Sequence, residues 1–128
     1  MFKLYTDAAV KGNPGPAAIG ILIVGPEPAI EISQKITPMT NHEAEFVAAI
    51  HGFKELATRG YAGQNVQLIS DSQLVIDALN KGYSKHYQSL YADLVAAADP
   101  FPVVIPTWQN DHQHHGAHTL ALRGLHQA

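Results

Sequence analysis

The sequence predicts an α/β domain, a mixed β-sheet with helices packed against it. Three observations carry that prediction. The first 36 residues hold three strand-like runs separated by Gly- and Pro-rich turns. A Thr-x-x-Glu pattern at Thr40 and Glu43 then opens a long apolar-periodic stretch. Beyond it, helical periodicity alternates with two further strand-like runs, giving the order β-β-β-α-β-α-α-β-α.

In "MFKLYT", Phe2, Leu4 and Thr6 alternate with Lys3, Tyr5 and Asp7, the period of a strand with two distinguishable faces, taken over residues 2–7. Gly12, Asn13, Pro14, Gly15 and Pro16 form a dense turn signal. "AAIGILIVG" suits a buried strand, "PEP" turns, and "AIEISQKI" alternates Ile30, Ile32 and Gln34 against Glu31, Ser33 and Lys35. Three consecutive strands are most simply an antiparallel meander.

The first helix spans residues 40–60. Thr40 and Glu43 make a capping box, in which each side chain bonds an otherwise orphan backbone N–H. Phe46, Ala49, Ile50, Phe53 and Ala57 recur at helical spacing, and Gly60 suits the position after the last turn. "NVQLIS" reads as the fourth strand. "DSQLVIDALNKG" follows as a short helix with Leu74, Val75, Ala78 and Leu79 on its apolar side. "SKHYQSLYADLVAAAD" is a third helix carrying Tyr87, Leu90, Tyr91, Leu94 and Ala98, stopped by Pro100. In "FPVVIPTWQ", Pro102 and Pro106 cannot donate to a ladder, which places this fifth strand at a sheet edge. From His114 onward, Ala117, Leu120, Ala121 and Leu125 predict a final helix, weakened by Gly116 and Gly124.

The 128 residues favour a single domain spanning 1–128, and 46% hydrophobic against 15% charged residues makes it globular rather than disordered. No apolar run approaches the ~20 residues that span a bilayer. The N-terminus shows no basic region followed by an apolar stretch, so the expectation is a cytoplasmic protein with no membrane partner. Without cysteine there are no disulfides and no thiolate metal sites. Eight Lys and Arg and a net charge of −3 argue against a protein that grips nucleic acid mainly through phosphates. Nucleic-acid binding here is expected to be weak, local and salt-sensitive, or helped by metal ions.

Three acids stand out by position. Asp7 is expected to end the first strand, Glu45 lies in the second turn of the capped helix, and Asp71 sits where the fourth strand gives way to its helix. Ligand sites gather at such junctions in α/β sheets. Three carboxylates without cysteine describe a site for hard divalent cations, Mg²⁺ or Mn²⁺. Each acid also has a plainer reading: Asp71 as a helix N-cap, Glu45 as a charge favouring the macrodipole, Asp7 as a solvated turn residue.

The segments around these acids, "YTDAAVKGNPGPAAIG", "TNHEAEF" and "SDSQLV", closely resemble the three signature segments of the type I ribonuclease H family, and "AHTLA" resembles its closing segment. The resemblance covers essentially the whole chain and is nearest to short bacterial members without a basic protrusion. It implies a ribonuclease H-like fold: a five-stranded mixed sheet of order 3-2-1-4-5 with helices on both faces. It implies metal-dependent hydrolysis of the RNA strand of RNA–DNA hybrids by two Mg²⁺ or Mn²⁺ ions, with no small-molecule cofactor. Asp7 would match the aspartate bridging both ions, with Glu45 and Asp71 completing the metal on the leaving-group side. Gly12 and Asn13 match a loop approaching the RNA sugar edge. Thr40, Asn41 and Gln73 match residues contacting backbone phosphate or the 2′-hydroxyl, the group that distinguishes RNA from DNA.

The closing segment, "WQNDHQHHGAHTLA", departs from that pattern. Asp111 stands where an arginine is common, His114 where an asparagine is, and His118 in place of the fourth metal-binding aspartate. Ala8 also replaces a glycine beside Asp7. Imidazole brings no negative charge and prefers softer metals than Mg²⁺. Three readings follow. His118 substitutes as a neutral ligand or proton shuttle, with a preference for Mn²⁺. Alternatively the site is crippled, leaving a catalytically weak or inactive nucleic-acid or protein binding module. In the third, His114 and His118, four residues apart, form a Zn²⁺ or Ni²⁺ site with Asp111 or His115. For His112, His115 and His126 a solvated helix face is the plainer account.

Overall fold

The computed structural model of the protein describes residues 1–110 and 116–127. Five strands, β1 (Phe2–Val10), β2 (Gly15–Val24), β3 (Ile30–Met39), β4 (Val66–Ser70) and β5 (Val104–Trp108), form one sheet in the order β3-β2-β1-β4-β5. The β1–β2 and β2–β3 pairs are antiparallel, and β1–β4 and β4–β5 are parallel. Four helices accompany them: α1 (Asn41–Thr58), α2 (Gln73–Lys81), α3 (Gln88–Ala98) and α4 (Gly116–Leu125). This is the topology that the sequence resemblance implies.

Alternation along β2 decides which face each helix covers. Ile19, Ile21 and Ile23 join Leu4 and the α1 residues Phe46, Phe53 and Leu56 in the main apolar cluster, which α3 closes with Leu94 and Ala97. Their neighbours of opposite parity, Ala18, Gly20 and Leu22, lie under α4 on the other face. Helices therefore cover both faces, and residues on the α4 face of β1 sit between sheet and helix.

Local chemistry explains the element ends. Both halves of the Thr40–Glu43 capping box are present, and Gly60 takes a φ of +88° just past the Arg59 C-cap. Pro102 and Pro106 flank and occupy β5, which is an edge strand as their missing donors require. Several boundaries differ from the sequence expectation, three of them for a visible physical reason. β1 continues past residue 7 because Ala8, Ala9 and Val10 pair with Ile19, Ala18 and Ala17, so Asp7 lies inside the strand rather than at its end. β3 runs on through Pro38, which the outer edge of the sheet tolerates. α3 starts at Gln88 and not near Ser84; the Gln88 side chain accepts from the Ser84 N–H at 3.2 Å, folding the approach into a turn. Among the described residues, no helix is long and apolar enough to cross a membrane.

Candidate active site

Asp7 projects from β1 on the α4 face and is only 8% exposed, which rules out the solvated-turn reading. Burial, reinforced by the Asp71 charge, pushes its carboxyl from 3.8 up to about 6, against the hydrogen bond with His118 that pulls it down. Glu45 reaches the same region from α1. Burial raises its carboxyl, and Asp71 adds to that rise, while hydrogen bonds from Ser72 and Asn41 work the other way. Asp71 follows the last residue of β4. It is not the cap of α2: Ser72 holds that position, its Oγ accepting from the Val75 N–H at 3.3 Å. The Asp71 carboxylate is thereby free of the structural duty that its position suggested.

Hydrogen bonds connect these elements in sequence. Asn13 Oδ1 accepts from the Asn41 N–H at 2.9 Å, so the β1–β2 loop satisfies an orphan donor at the start of α1. Asn41 Nδ2 donates to Glu45 Oε1 at 3.3 Å, and Ser72 Oγ donates to Glu45 Oε2 at 2.7 Å. Gly12, at φ +92°, allows the tight loop that carries Asn13. The Thr40 hydroxyl is committed to its cap, donating to Glu43 Oε1 at 2.8 Å. Gln73 is exposed at the first position of α2, beside Ser72.

His118 lies in the first turn of α4 with Nδ1 2.8 Å from Asp7 Oδ2. With Asp7 ionised the carboxylate only accepts, so Nδ1–H is the donor in this contact. Gly20, paired with Asp7 across the ladder, makes this approach feasible: a Cβ there would collide with the Ala117 carbonyl and the Ala121 nitrogen. Ser33 Oγ donates to the Leu120 carbonyl at 2.6 Å, tying α4 to β3, and Lys35 Nζ to the Gln127 carbonyl just past the helix at 2.7 Å. Sequence reasoning overlooked Gly20, Ser72 and Trp108. The N-cap preference of serine was the one available signal, and it pointed to Ser72 as well as to Asp71.

The donor set suits a hard divalent cation in kind, since Asp7, Glu45 and Asp71 offer only carboxylate oxygen. Among the described residues none of the three pairs with lysine or arginine. The upward shifts of Asp7 and Glu45 come first from burial, and the Asp71 charge adds to both. Among the described residues no group of three or more His, Asp or Glu side chains stands close enough to enclose an ion. Binding would therefore require these side chains to close up, His118 giving way at Asp7 Oδ2. Of the alternative Zn²⁺ or Ni²⁺ site, His118 is the member the structure describes, against Asp7, while His114, Asp111 and His115 lie outside the described residues, as does His112.

An α/β sheet of this order with acids from β1, α1 and the end of β4 defines a ribonuclease H-like domain. The chain belongs to the RNase H family, whose family model matches residues 1–117. It is 32% identical over 127 residues to "Putative hydrolase EbsB" of Enterococcus faecalis, a match covering 98% of this chain and 94% of that protein. It is 36% identical over 86 residues to a ribonuclease H of Syntrophus aciditrophicus, covering 67% of this chain and 47% of the relative. The chain thus matches about half the length of that ribonuclease. Among solved structures it resembles RNase H1 of the halophilic archaeon Halobacterium salinarum, with TM-score 0.85, 30% identity and coverage of 99% and 98% of the two chains. It shares its fold with LC11-RNase H1, solved in complex with an RNA/DNA hybrid, at TM-score 0.87, 23% identity and coverage of 98% and 96%.

Proposed function

We propose that the protein is a metal-dependent endonuclease that hydrolyses the RNA strand of RNA–DNA hybrids. The observation that carries this reading is that Asp71, just past β4, lies within electrostatic reach of both Asp7 on β1 and Glu45 on α1, and that among the described residues no lysine or arginine pairs with any of the three. Membership of the RNase H family supports it.

In this reading Asp7, Glu45 and Asp71 would hold two Mg²⁺ or Mn²⁺ ions. Such ions, when bound, supply an activated water and stabilise the departing 3′-oxygen. The remaining work falls to the chain itself. Ser72 and Asn41 aim the two oxygens of Glu45. Gly12 and Asn13 bring the β1–β2 loop against the start of α1, making a continuous rim with Asn41. That rim, with Gln73 at the start of α2, faces the RNA backbone and its 2′-hydroxyls. Thr40 acts by holding the first turn of α1, because its hydroxyl is taken by the cap. His118, released from Asp7, serves as a ligand or proton carrier.

One observation favours a second reading. His118 already engages Asp7 Oδ2 where the family pattern places an acid, which would leave a binding module with weak or no catalysis. Incubating the protein with labelled RNA–DNA hybrid, duplex DNA and single-stranded RNA, with Mg²⁺ and with Mn²⁺, separates the two. Cleavage confined to the RNA of the hybrid supports the nuclease. Hybrid binding without cleavage under either metal supports the module.

A further inference from the structure

The Asp71–Ser72 peptide lies in a gap between two regular elements. The β4 ladder ends at Ser70, whose carbonyl accepts from the Gln109 N–H at 2.9 Å. Helix α2 begins at Gln73, and the first carbonyl it draws on is that of Ser72, which accepts from the Ile76 N–H. Neither sheet nor helix supplies a partner for the Asp71 carbonyl. Trp108 does, its indole Nε1 donating at 3.0 Å. The N–H of the same peptide plane, on Ser72, donates to Ser70 Oγ at 3.0 Å. Both polar ends of one peptide group are therefore held by side chains.

Such a clamp fixes the peptide plane and with it the ψ of Asp71, one of the torsions that set where its carboxylate points. Apolar burial does not account for Trp108 at this place. The residue is 46% exposed at the end of an edge strand, and a tryptophan kept for core packing would be enclosed. Leucine or phenylalanine would cover the same surface but could not donate to a carbonyl.

We propose that Trp108 is a positioning residue: through its indole N–H it locks the Asp71–Ser72 peptide and so holds the Asp71 carboxylate aligned with Asp7 and Glu45. This rests on the reading of Asp71 as a metal ligand. Groups that orient a ligand without touching the metal influence affinity strongly, because a ligand free to swing must be ordered each time an ion binds.

The test measures metal binding apart from catalysis. Mn²⁺ is titrated into the protein alone and binding is followed by calorimetry, for wild type, Trp108→Phe, Trp108→His and Ser70→Ala. Circular dichroism and thermal unfolding establish that each variant is folded. Trp108→Phe keeps the ring and removes the donor, so Mn²⁺ affinity should weaken roughly tenfold. Trp108→His, which retains an N–H, should recover part of the loss. Ser70→Ala opens the other end of the clamp, weakens binding in the same direction, and stands in should Trp108→Phe not fold. In hybrid cleavage, kcat should fall while KM holds, since the clamp acts on the metal ligand and not on the hybrid. Mn²⁺ affinity unchanged in folded Trp108→Phe and Ser70→Ala overturns the proposal, and so does a wild type that binds no Mn²⁺. A wild type that binds Mn²⁺ yet cleaves no hybrid defeats the nuclease reading alone, and the affinity difference still decides the role of Trp108.

Discussion

Gly20, the ladder partner of Asp7, lies directly beneath the Ala117 carbonyl of α4, with no room between them for a methyl group. The contact is with backbone on the helix side, so a side chain cannot rotate aside to relieve it. Gly20→Ala should push α4 outward, destabilise the fold by about 1–3 kcal/mol and separate His118 from Asp7. Urea unfolding gives the first quantity, and the NMR shifts of the His118 ring, compared with wild type, report the second. A variant with wild-type stability and an unmoved His118 ring would refute this account of how the helix is seated.

Asp7→Asn should raise stability in metal-free solution, and the pH dependence gives the sign. The Asp7 carboxyl is raised from 3.8 to about 6 on folding, so the folded chain holds that proton more tightly than the unfolded one. Ionising Asp7 therefore lowers stability as pH climbs from about 4 through about 6, and the loss persists above that. Asparagine never ionises. The variant should exceed wild type by about 1–3 kcal/mol above pH 6, with the advantage vanishing below about pH 4. Denaturant unfolding across this range with a chelator present tests it. Hybrid cleavage by the same variant should be nearly abolished.

His118→Asp restores a charged oxygen ligand at the position that departs most from the family pattern. It should raise Mg²⁺-dependent cleavage and narrow the preference for Mn²⁺, because Mn²⁺ accepts nitrogen more readily than Mg²⁺ does. His118→Ala should lower the rate with both metals. Equal rates for His118→Ala and wild type, with either metal, would reduce the histidine to a helix-surface residue.

Ser72→Ala removes two bonds at once. Loss of the α2 cap should cost about 1 kcal/mol of stability, read from unfolding. Loss of the donor to Glu45 Oε2 removes an interaction that holds the Glu45 carboxyl down, so its titration, followed by NMR, should move further up. A Glu45 titration that stays in place would show that Ser72 serves the helix alone.

Hybrid affinity should be weak and should fall as salt rises, with a slope reflecting only a few phosphate contacts, because only eight Lys and Arg are present to release counterions. A slope as steep as that of a strongly basic protein would reveal a concentrated cationic surface.

Much of the architecture was legible because local chemistry announced it. Thr40 and Glu43 marked the start of α1 by a pattern that works within four residues, and Pro102 and Pro106 marked β5 as an edge by the donors they lack. Errors arose where a neighbour decided the outcome. The continuation of β1 past Asp7 depends on the pairing of Ala8, Ala9 and Val10 with β2, which alternation up to residue 7 does not contain. The start of α3 at Gln88 depends on a side chain folded back to Ser84. In the site, the motifs around Asp7, Glu45 and Asp71 made them the candidate acids. That Ser72 rather than Asp71 caps α2 was not legible, since both are good cap residues. The importance of Gly20 was also hidden, because a glycine in an apolar run does not reveal which helix will cross it.

The hydrogen bond between Asp7 and His118 joins residues 111 positions apart, in the first strand and the last helix. Chains are made from the N-terminus, so the carboxylate exists long before the imidazole that meets it. A chain released before α4 would carry Asp7, Glu45 and Asp71, but the Asp7 face of the sheet would stand open to water. Its buried acid would then be an ordinary wetted one. Seating α4 thus does two things together: it closes the Asp7 face of the sheet and brings His118 to Asp7.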